Sequence, residues 1–213
     1  MKHLILLLGI YVFGVTLAWS QEDWKLVKDK EGIQVYTRKT DVSNFVEFRG
    51  ITFIDAQVSS FISVMQDAGN MTNWVYSLTK AQLLEMHSDT IMIYYAESKL
   101  PWPFDNRDAV YRDYFEWDAA KRTLYVHIDC LTEYLEENKG IVRIPYAKGY
   151  WKVQEIEKNK FKVIFQMIVD PGGSIPAWLV NAFVVDTPYE TLQGLKEVIK
   201  EEKYQNVEFG FID

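Results

Sequence analysis

The feature that most constrains the fold lies near the C-terminus, where an amphipathic strand leads directly into a long apolar helix. Apolar and polar side chains alternate from Phe161 to Asp170, which predicts a strand with one buried face. Residues 171–174 then predict a turn, and a strongly apolar helix begins at Ile175. A helix this apolar needs a large concave surface to cover it. We therefore expect the space between sheet and helix to decide the function.

The first twenty residues are typical of a secretory signal peptide. A basic start at Lys2 precedes an apolar run that ends at Ala18, and the small residue Ser20 stands before Gln21. The alternative is a membrane anchor, but the uncharged run of about 17 residues is at the lower limit for a spanning helix. We expect cleavage near Ser20-Gln21, and hence an exported protein, periplasmic or secreted, with residues 21–213 forming one domain.

The rest of the chain is acidic and holds one cysteine. Loss of Lys2 leaves 22 basic and 30 acidic side chains, a net charge of −8, which disfavours nucleic acid as a partner. Cys130 alone cannot form an internal disulfide. It shares an apolar strand face with Val126 and Ile128, which favours a buried inert thiol over a nucleophile. Stability must therefore come from burial.

Period-two patterns predict nine strands and an α+β fold. An N-terminal hairpin and two short helices come first, and seven strands of an antiparallel meander follow them. A sheet of this size should curl, and the final helix is the only element long enough to fill its concave face. The predicted strands are 33–40, 45–54, 80–87, 90–98, 107–118, 122–134, 140–146, 149–157 and 161–170.

Three local patterns occur in a consistent order, and together they carry a family resemblance. They are Asn73-Trp74; Pro101-Trp102-Pro103 followed by Asn106-Arg107-Asp108-Ala109-Val110-Tyr111-Arg112; and Asp170-Pro171-Gly172-Gly173-Ser174-Ile175-Pro176 leading to Leu179-Val180-Asn181.

From Trp24 to Lys200 the chain resembles the steroidogenic-acute-regulatory-related lipid-transfer (START) domains, in particular their compact bacterial members. The resemblance implies a helix-grip fold, in which a curved nine-stranded antiparallel sheet grips the C-terminal helix. It also implies a tunnel between them for one apolar ligand. We expect no cofactor. The N-terminus is too short for the extra leading helix of many full-length members.

One charged residue stands out on the strand that begins at Arg107. Strand parity places Ala109, Tyr111, Asp113 and Phe115 on one face, and the more charged face, which includes Asp108, should meet water. Asp113 would then be an inward carboxylate that needs a partner, and we expect Arg143 to supply it. Asp113 either anchors a ligand hydroxyl or head group, or it forms a structural ion pair or lies at a wet rim.

The same parity argument gives an apolar wall, and helical spacing (i, i+4, i+7, i+11) gives a helix stripe that meets it. Each of these residues could equally belong to a solid core, and only the fold argument favours a ligand site. The predicted ligand-binding residues are Ile91, Ile93, Tyr95, Tyr111, Asp113, Phe115, Val126, Ile128, Arg143, Phe165, Met167, Trp178, Leu179, Ala182 and Phe183.

Pro188 lies inside the predicted C-terminal helix and should kink or break it. Residues 175–186 could then move as a lid, or the kink could be static.

Catalytic motifs are scarce. After the signal peptide only His87 and His127 remain, and no run matches a nucleophile elbow, a phosphate-binding glycine loop or a zinc helix. We expect a non-catalytic carrier or sensor that encloses a lipid or other apolar molecule, with transient membrane contact. The alternatives are a polyketide cyclase/aromatase-like enzyme in the same cavity, and a cell-envelope interaction domain whose interior is filled. Ligand identity and oligomeric state are not predicted.

Overall fold

A computed structural model of the protein describes residues 24–40 and 43–212, and the predicted signal peptide, residues 1–20, lies outside them. The described residues form two α-helices, α1 (Val58–Gln66) and α2 (Ala177–Val198), and ten strands. The strands are β1 (Lys25–Lys30), β2 (Ile33–Thr40), β3 (Ser43–Ile54), β4 (Leu78–Ser88), β5 (Ile91–Ser98), β6 (Asn106–Asp118), β7 (Thr123–Cys130), β8 (Ile141–Arg143), β9 (Tyr146–Glu157) and β10 (Lys160–Asp170).

The strands form one open, curved sheet in the order β1-β2-β3-β10-β9-β7-β6-β5-β4, and neighbours in this order are antiparallel. The predicted α+β helix-grip architecture is confirmed. The nine predicted strands correspond to β2 through β10, and β1 is a tenth that the sequence did not reveal because its side chains are mostly exposed and do not alternate. The short β8 leaves the meander and pairs with β6 in parallel.

Helix α2 lies on the concave face and runs without interruption through Pro188, so the proline does not end the helix. Gly50 on β3 lets the helix come close, since a Cβ there would be 2.6 Å from a methyl carbon of Leu192 and 3.0 Å from Cβ of Pro188. The second half of the helix, residues 189–198, buries Tyr189 and Leu195 almost completely. This half fixes the helix to the sheet.

The core beside α2 is rich in aromatic rings. Trp151 on β9 stacks on Phe165 on β10, with ring centroids 3.9 Å apart, and Phe61 of α1 meets Trp151 edge-on at 5.7 Å. Helix α1 therefore closes one end of the concave face with packed side chains. The space that remains lies toward the other end, under the first half of α2, residues 177–187.

Candidate ligand-binding site

A cavity of about 220 Å³ lies between the inner face of the sheet and α2. Its walls are mostly apolar and aromatic, which is typical of sites for apolar ligands. The volume is below the roughly 300–1,000 Å³ of common small-molecule sites. The lining residues that come from the sheet are Val46, Phe48, Leu78, Tyr94, Ala96, Ser98, Arg107, Ala109, Tyr111, Ile128, Trp151, Phe165, Met167 and Val169.

Five of the predicted ligand-binding residues line this cavity. They are Tyr111, Ile128, Phe165, Met167 and Phe183. Cross-strand pairing explains why the sheet residues share one face, because directly opposed residues point to the same side. Met167 faces Gly149, which in turn faces Ile128. A role for these five residues in binding stays a prediction.

Phe115, Val126 and Asp113 lie on the same face of the sheet but do not line the cavity. Phe115 pairs with Val126, and Asp113 pairs with Ile128. Phe115 and Val126 belong to the solid core, with at most 1% of their surface exposed. Parity was therefore right for these residues, but the cavity ends before it reaches them.

The predicted parity of β5 was wrong. Tyr94 pairs with Tyr111, so Tyr94 faces inward and Ile91, Ile93 and Tyr95 face outward. Both faces of this strand are apolar because both are covered. On the outer face Ile93 and Tyr95 form a separate small cluster, which is covered by Leu131 and Tyr134 from the segment between β7 and β8.

Only part of the predicted helix stripe faces the cavity. Phe183 reaches the cavity, whereas Leu179 and Ala182 line a neighbouring surface groove together with Leu100. Trp178 points into solvent with 64% of its surface exposed. Trp178 therefore cannot be a cavity wall in this structure.

Asp113 is fully buried, and neither carboxylate oxygen accepts a hydrogen bond from any described residue. Burial raises the pKa of Asp113 to about 8; the negative charge of Asp129 adds to the rise, and the nearby Tyr94 hydroxyl opposes it. Asp113 is therefore mostly protonated at neutral pH. Arg143, its predicted partner, lies on the other face of the sheet.

Arg143 instead pairs with Asp108, which was wrongly predicted to face water. Its Nε donates to Oδ1 of Asp108 at 2.7 Å, and Nδ2 of Asn138 donates to Oδ2 at 2.8 Å. Burial opposes ionisation of Asp108, but these hydrogen bonds outweigh it and hold the pKa of Asp108 below its usual value. Arg143 also donates to the carbonyl oxygens of Leu135 and Glu136, which fixes the covering segment to the sheet. Arg143 is therefore structural and not a ligand contact.

Arg107 lines the cavity and was missed as a site residue. It is 5% exposed, and it donates from Nε to the carbonyl of Pro171 at 2.8 Å, from Nη1 to that of Asp105 at 2.6 Å and from Nη2 to that of Gly172 at 3.1 Å. Gly172 and Gly173 have φ of 66° and 64°, a region that favours glycine. Extending the inward set of β6 by one step would have identified Arg107, since it has the same parity as Ala109.

No helix in residues 24–40 and 43–212 combines the length and apolar character needed to span a bilayer. Within the same residues, no three His, Cys, Asp or Glu side chains are grouped as metal ligands.

Comparison with known proteins agrees with this geometry. The START domain profile matches residues 15–203. An uncharacterized protein of Pseudomonas aeruginosa is 35% identical over 189 residues, which are 89% of this chain and 93% of that protein. The mouse phosphatidylcholine transfer protein is 28% identical over 168 residues, which are 77% of this chain and 78% of its own.

A solved structure leads to the same family. The crystal structure of a STAR-related lipid transfer protein fragment from Xanthomonas axonopodis superimposes with a TM-score of 0.77 at 37% identity. The match covers 84% of this chain and 99% of the fragment. Sequence profile, relatives and fold therefore agree, and the chain belongs to the START domain family.

Proposed function

We propose that this protein encloses one lipid or other apolar small molecule between the sheet and α2, and that it acts as a non-catalytic carrier or sensor. The observation that carries the proposal is the cavity of about 220 Å³ with its mostly apolar and aromatic walls. Burial of apolar ligand surface contributes roughly 25 cal/mol per Å², so affinity would come mainly from desolvation. The mouse relative is named as a phosphatidylcholine transfer protein, which supports transport as the role.

The alternative is a cyclase-like enzyme, which would use a positioned acid inside the cavity. Asp113 is the natural candidate, because it is a buried carboxyl group that is mostly protonated at neutral pH. Its exposed fraction is 0%, and it lies beyond the cavity wall next to Ile128. A proton donor must come within hydrogen-bond distance of the reacting atom. This geometry favours the carrier.

The proposal includes export. A carrier with the predicted signal peptide would work in the periplasm or outside the cell, and would contact a membrane briefly when it loads or releases its ligand. Fractionation of the native host, with N-terminal sequencing of the protein, tests this part: a chain beginning near Gln21 is expected, and a cytoplasmic chain that keeps Met1 would contradict it.

The central test is to purify the protein from its native host without denaturation and to identify bound small molecules by mass spectrometry. We expect an apolar molecule at about one per protein. Transfer of a labelled lipid between two vesicle populations then separates a carrier from a sensor, since only a carrier accelerates the exchange.

A matched pair of variants ties the ligand to the cavity. Ala109→Phe fills space in the cavity wall, whereas Glu116→Phe puts the same ring on the exposed outer face of β6. We expect Ala109→Phe to lose the bound molecule and Glu116→Phe to keep it, with circular dichroism confirming that both variants fold. A wild-type protein that carries and accelerates nothing would overturn the proposal.

A further inference from the structure

The cavity holds one positively charged side chain without an acidic partner. No carboxylate among the described residues lies within 4.0 Å of the Arg107 guanidinium, whose three recorded hydrogen bonds all go to backbone carbonyls. A guanidinium has five N–H donors, so two remain available. Arg107 is 5% exposed and its surface belongs to the cavity wall. The carboxylate of Asp105 acts on the guanidinium only from beyond 4.0 Å, and burial lowers the pKa of Arg107 more than that charge raises it. Arg107 is therefore a nearly buried charge whose contacts are carbonyl dipoles.

Arg143 provides an internal comparison, because it is a second buried arginine on a neighbouring strand. It also donates to several backbone carbonyls, but it has in addition the carboxylate of Asp108 at 2.7 Å. A buried guanidinium is stable when a carboxylate or phosphate satisfies it, and its planar donor pattern fits both of these groups. Arg107 differs in that no anionic group among the described residues is in contact with its guanidinium.

Small side chains leave room for such a group next to Arg107. On the adjacent strand β5, Ser98 lies directly opposite Arg107, and Ala96 lies opposite Ala109. All four residues line the cavity. The space beside the guanidinium therefore opens into the apolar interior and could be occupied by one end of an elongated molecule.

The length and volume of the cavity limit the size of the apolar part of that molecule. Along β6 it runs from Arg107 to Tyr111, four residues or about 13 Å at the usual rise of a strand. Beyond Tyr111 the next inward residue of the strand is Asp113, an acid, so this end of β6 provides no cation for an acidic head group. A volume of about 220 Å³ favours one hydrocarbon chain over two.

We propose that the ligand is a single-chain amphiphile with an acidic head group, a carboxylate or a phosphate, which binds the free N–H donors of Arg107 while its chain fills the apolar cavity. This inference rests on the proposed function and specifies its ligand class. Arg107 then has two roles: it holds the turn that leads into α2 through the carbonyls of Pro171 and Gly172, and it recognises the head group.

The test compares three probes with the same long alkyl chain: a fatty acid, its methyl ester and an alkyl phosphate. Each is titrated against the purified protein by displacement of a fluorescent apolar probe. We expect the fatty acid or the alkyl phosphate to bind at least about tenfold more tightly than the ester, a difference of about 1.4 kcal/mol. Which of the two acidic probes binds better identifies the head group.

Two variants assign the preference to Arg107. Arg107→Gln should bring the affinities of acidic and ester probes together, and Arg107→Lys should retain part of the preference. The matched control is Arg112→Gln, which removes an exposed arginine from the outer face of the same strand. This control variant should keep the wild-type ratio of affinities for acidic and ester probes.

The outcomes separate this inference from the proposed function. Equal affinity of the wild-type protein for acid, phosphate and ester would overturn the acidic head group but leave an apolar carrier. Binding of none of the probes, and no molecule from the native host, would overturn both. The comparison of probes on the wild-type protein needs no variant, so it stands even if Arg107→Gln fails to fold.

Discussion

The unpartnered carboxyl group of Asp113 should make stability depend on pH in a way that one substitution removes. Burial first, and the charge of Asp129 second, raise the pKa of Asp113 from about 3.8 to about 8. Between these values the folded protein holds a proton that the unfolded chain releases. The Asp113 contribution to the free energy of unfolding must therefore fall as pH rises from about 4 to about 8.

The size of this effect follows from the shift. One pKa unit corresponds to about 1.4 kcal/mol, so a shift of about four units costs on the order of 5 kcal/mol once both states are ionised. Between pH 5 and pH 8 the Asp113 contribution should be about 3–4 kcal/mol. Asp113→Asn keeps the shape of the side chain and removes the titration. Between pH 5 and pH 8 the variant should therefore lose about 3–4 kcal/mol less stability than the wild type.

Urea denaturation at pH 5, 6, 7 and 8 measures the effect in both proteins. Asp89→Asn is the control, because Asp89 is an exposed acid in the turn between β4 and β5. We expect its pH profile to follow the wild type, whereas the profile of Asp113→Asn should be much flatter. Parallel profiles for the wild type and Asp113→Asn would refute the reasoning, since they would mean that Asp113 is ionised in the folded protein at all these pH values.

Two further predictions concern packing. Arg143→Met leaves the Asp108 carboxylate buried without its cation, and we expect urea denaturation to show a loss of about 3–5 kcal/mol; a loss below about 1 kcal/mol would contradict a structural role. Gly194→Ala puts a Cβ 2.4 Å from the carbonyl oxygen of Trp74, so α2 must shift and the free energy of unfolding should fall by about 1–3 kcal/mol. Gly210→Ala, where a Cβ meets nothing within 4 Å, should leave the denaturation midpoint unchanged, and equal effects of the two glycine changes would exclude a steric cause.

Most strands could be predicted because one of their faces is more buried than the other. Strand β1, which is mostly exposed, was missed, and β5, which is buried on both faces, was given the wrong parity. Its outer residues Ile93 and Tyr95 are as apolar as its inner residues, because Leu131 and Tyr134 cover them. Alternation cannot choose a face when both faces are buried, and only the pairing of Tyr94 with Tyr111 decides it.

The predictions for the charged residues failed for a related reason. Asp108 carries the charge expected of a solvent-facing residue, yet the segment after β7 folds back and buries it against Arg143. Arg107 was not among the predicted site residues. Its partners are the carbonyls of Pro171 and Gly172, and backbone groups give no signal in a pattern of side chains. Asp113 was correctly assigned to the inner face. Its lack of a partner was not predicted, because the predicted partner, Arg143, lies on the other face of the sheet and pairs with Asp108.

The two halves of α2 separate what holds the molecule together from what meets the cavity. Leu192 and Leu195, after Pro188, have no exposed surface, whereas Phe183, before it, is only partly buried against open space. Apart from Leu179, which is 3% exposed, sequence drift in the half before Pro188 should therefore cost less stability than drift after it. Descendants of one ancestral chain could in this way change what the cavity accommodates while keeping the same scaffold.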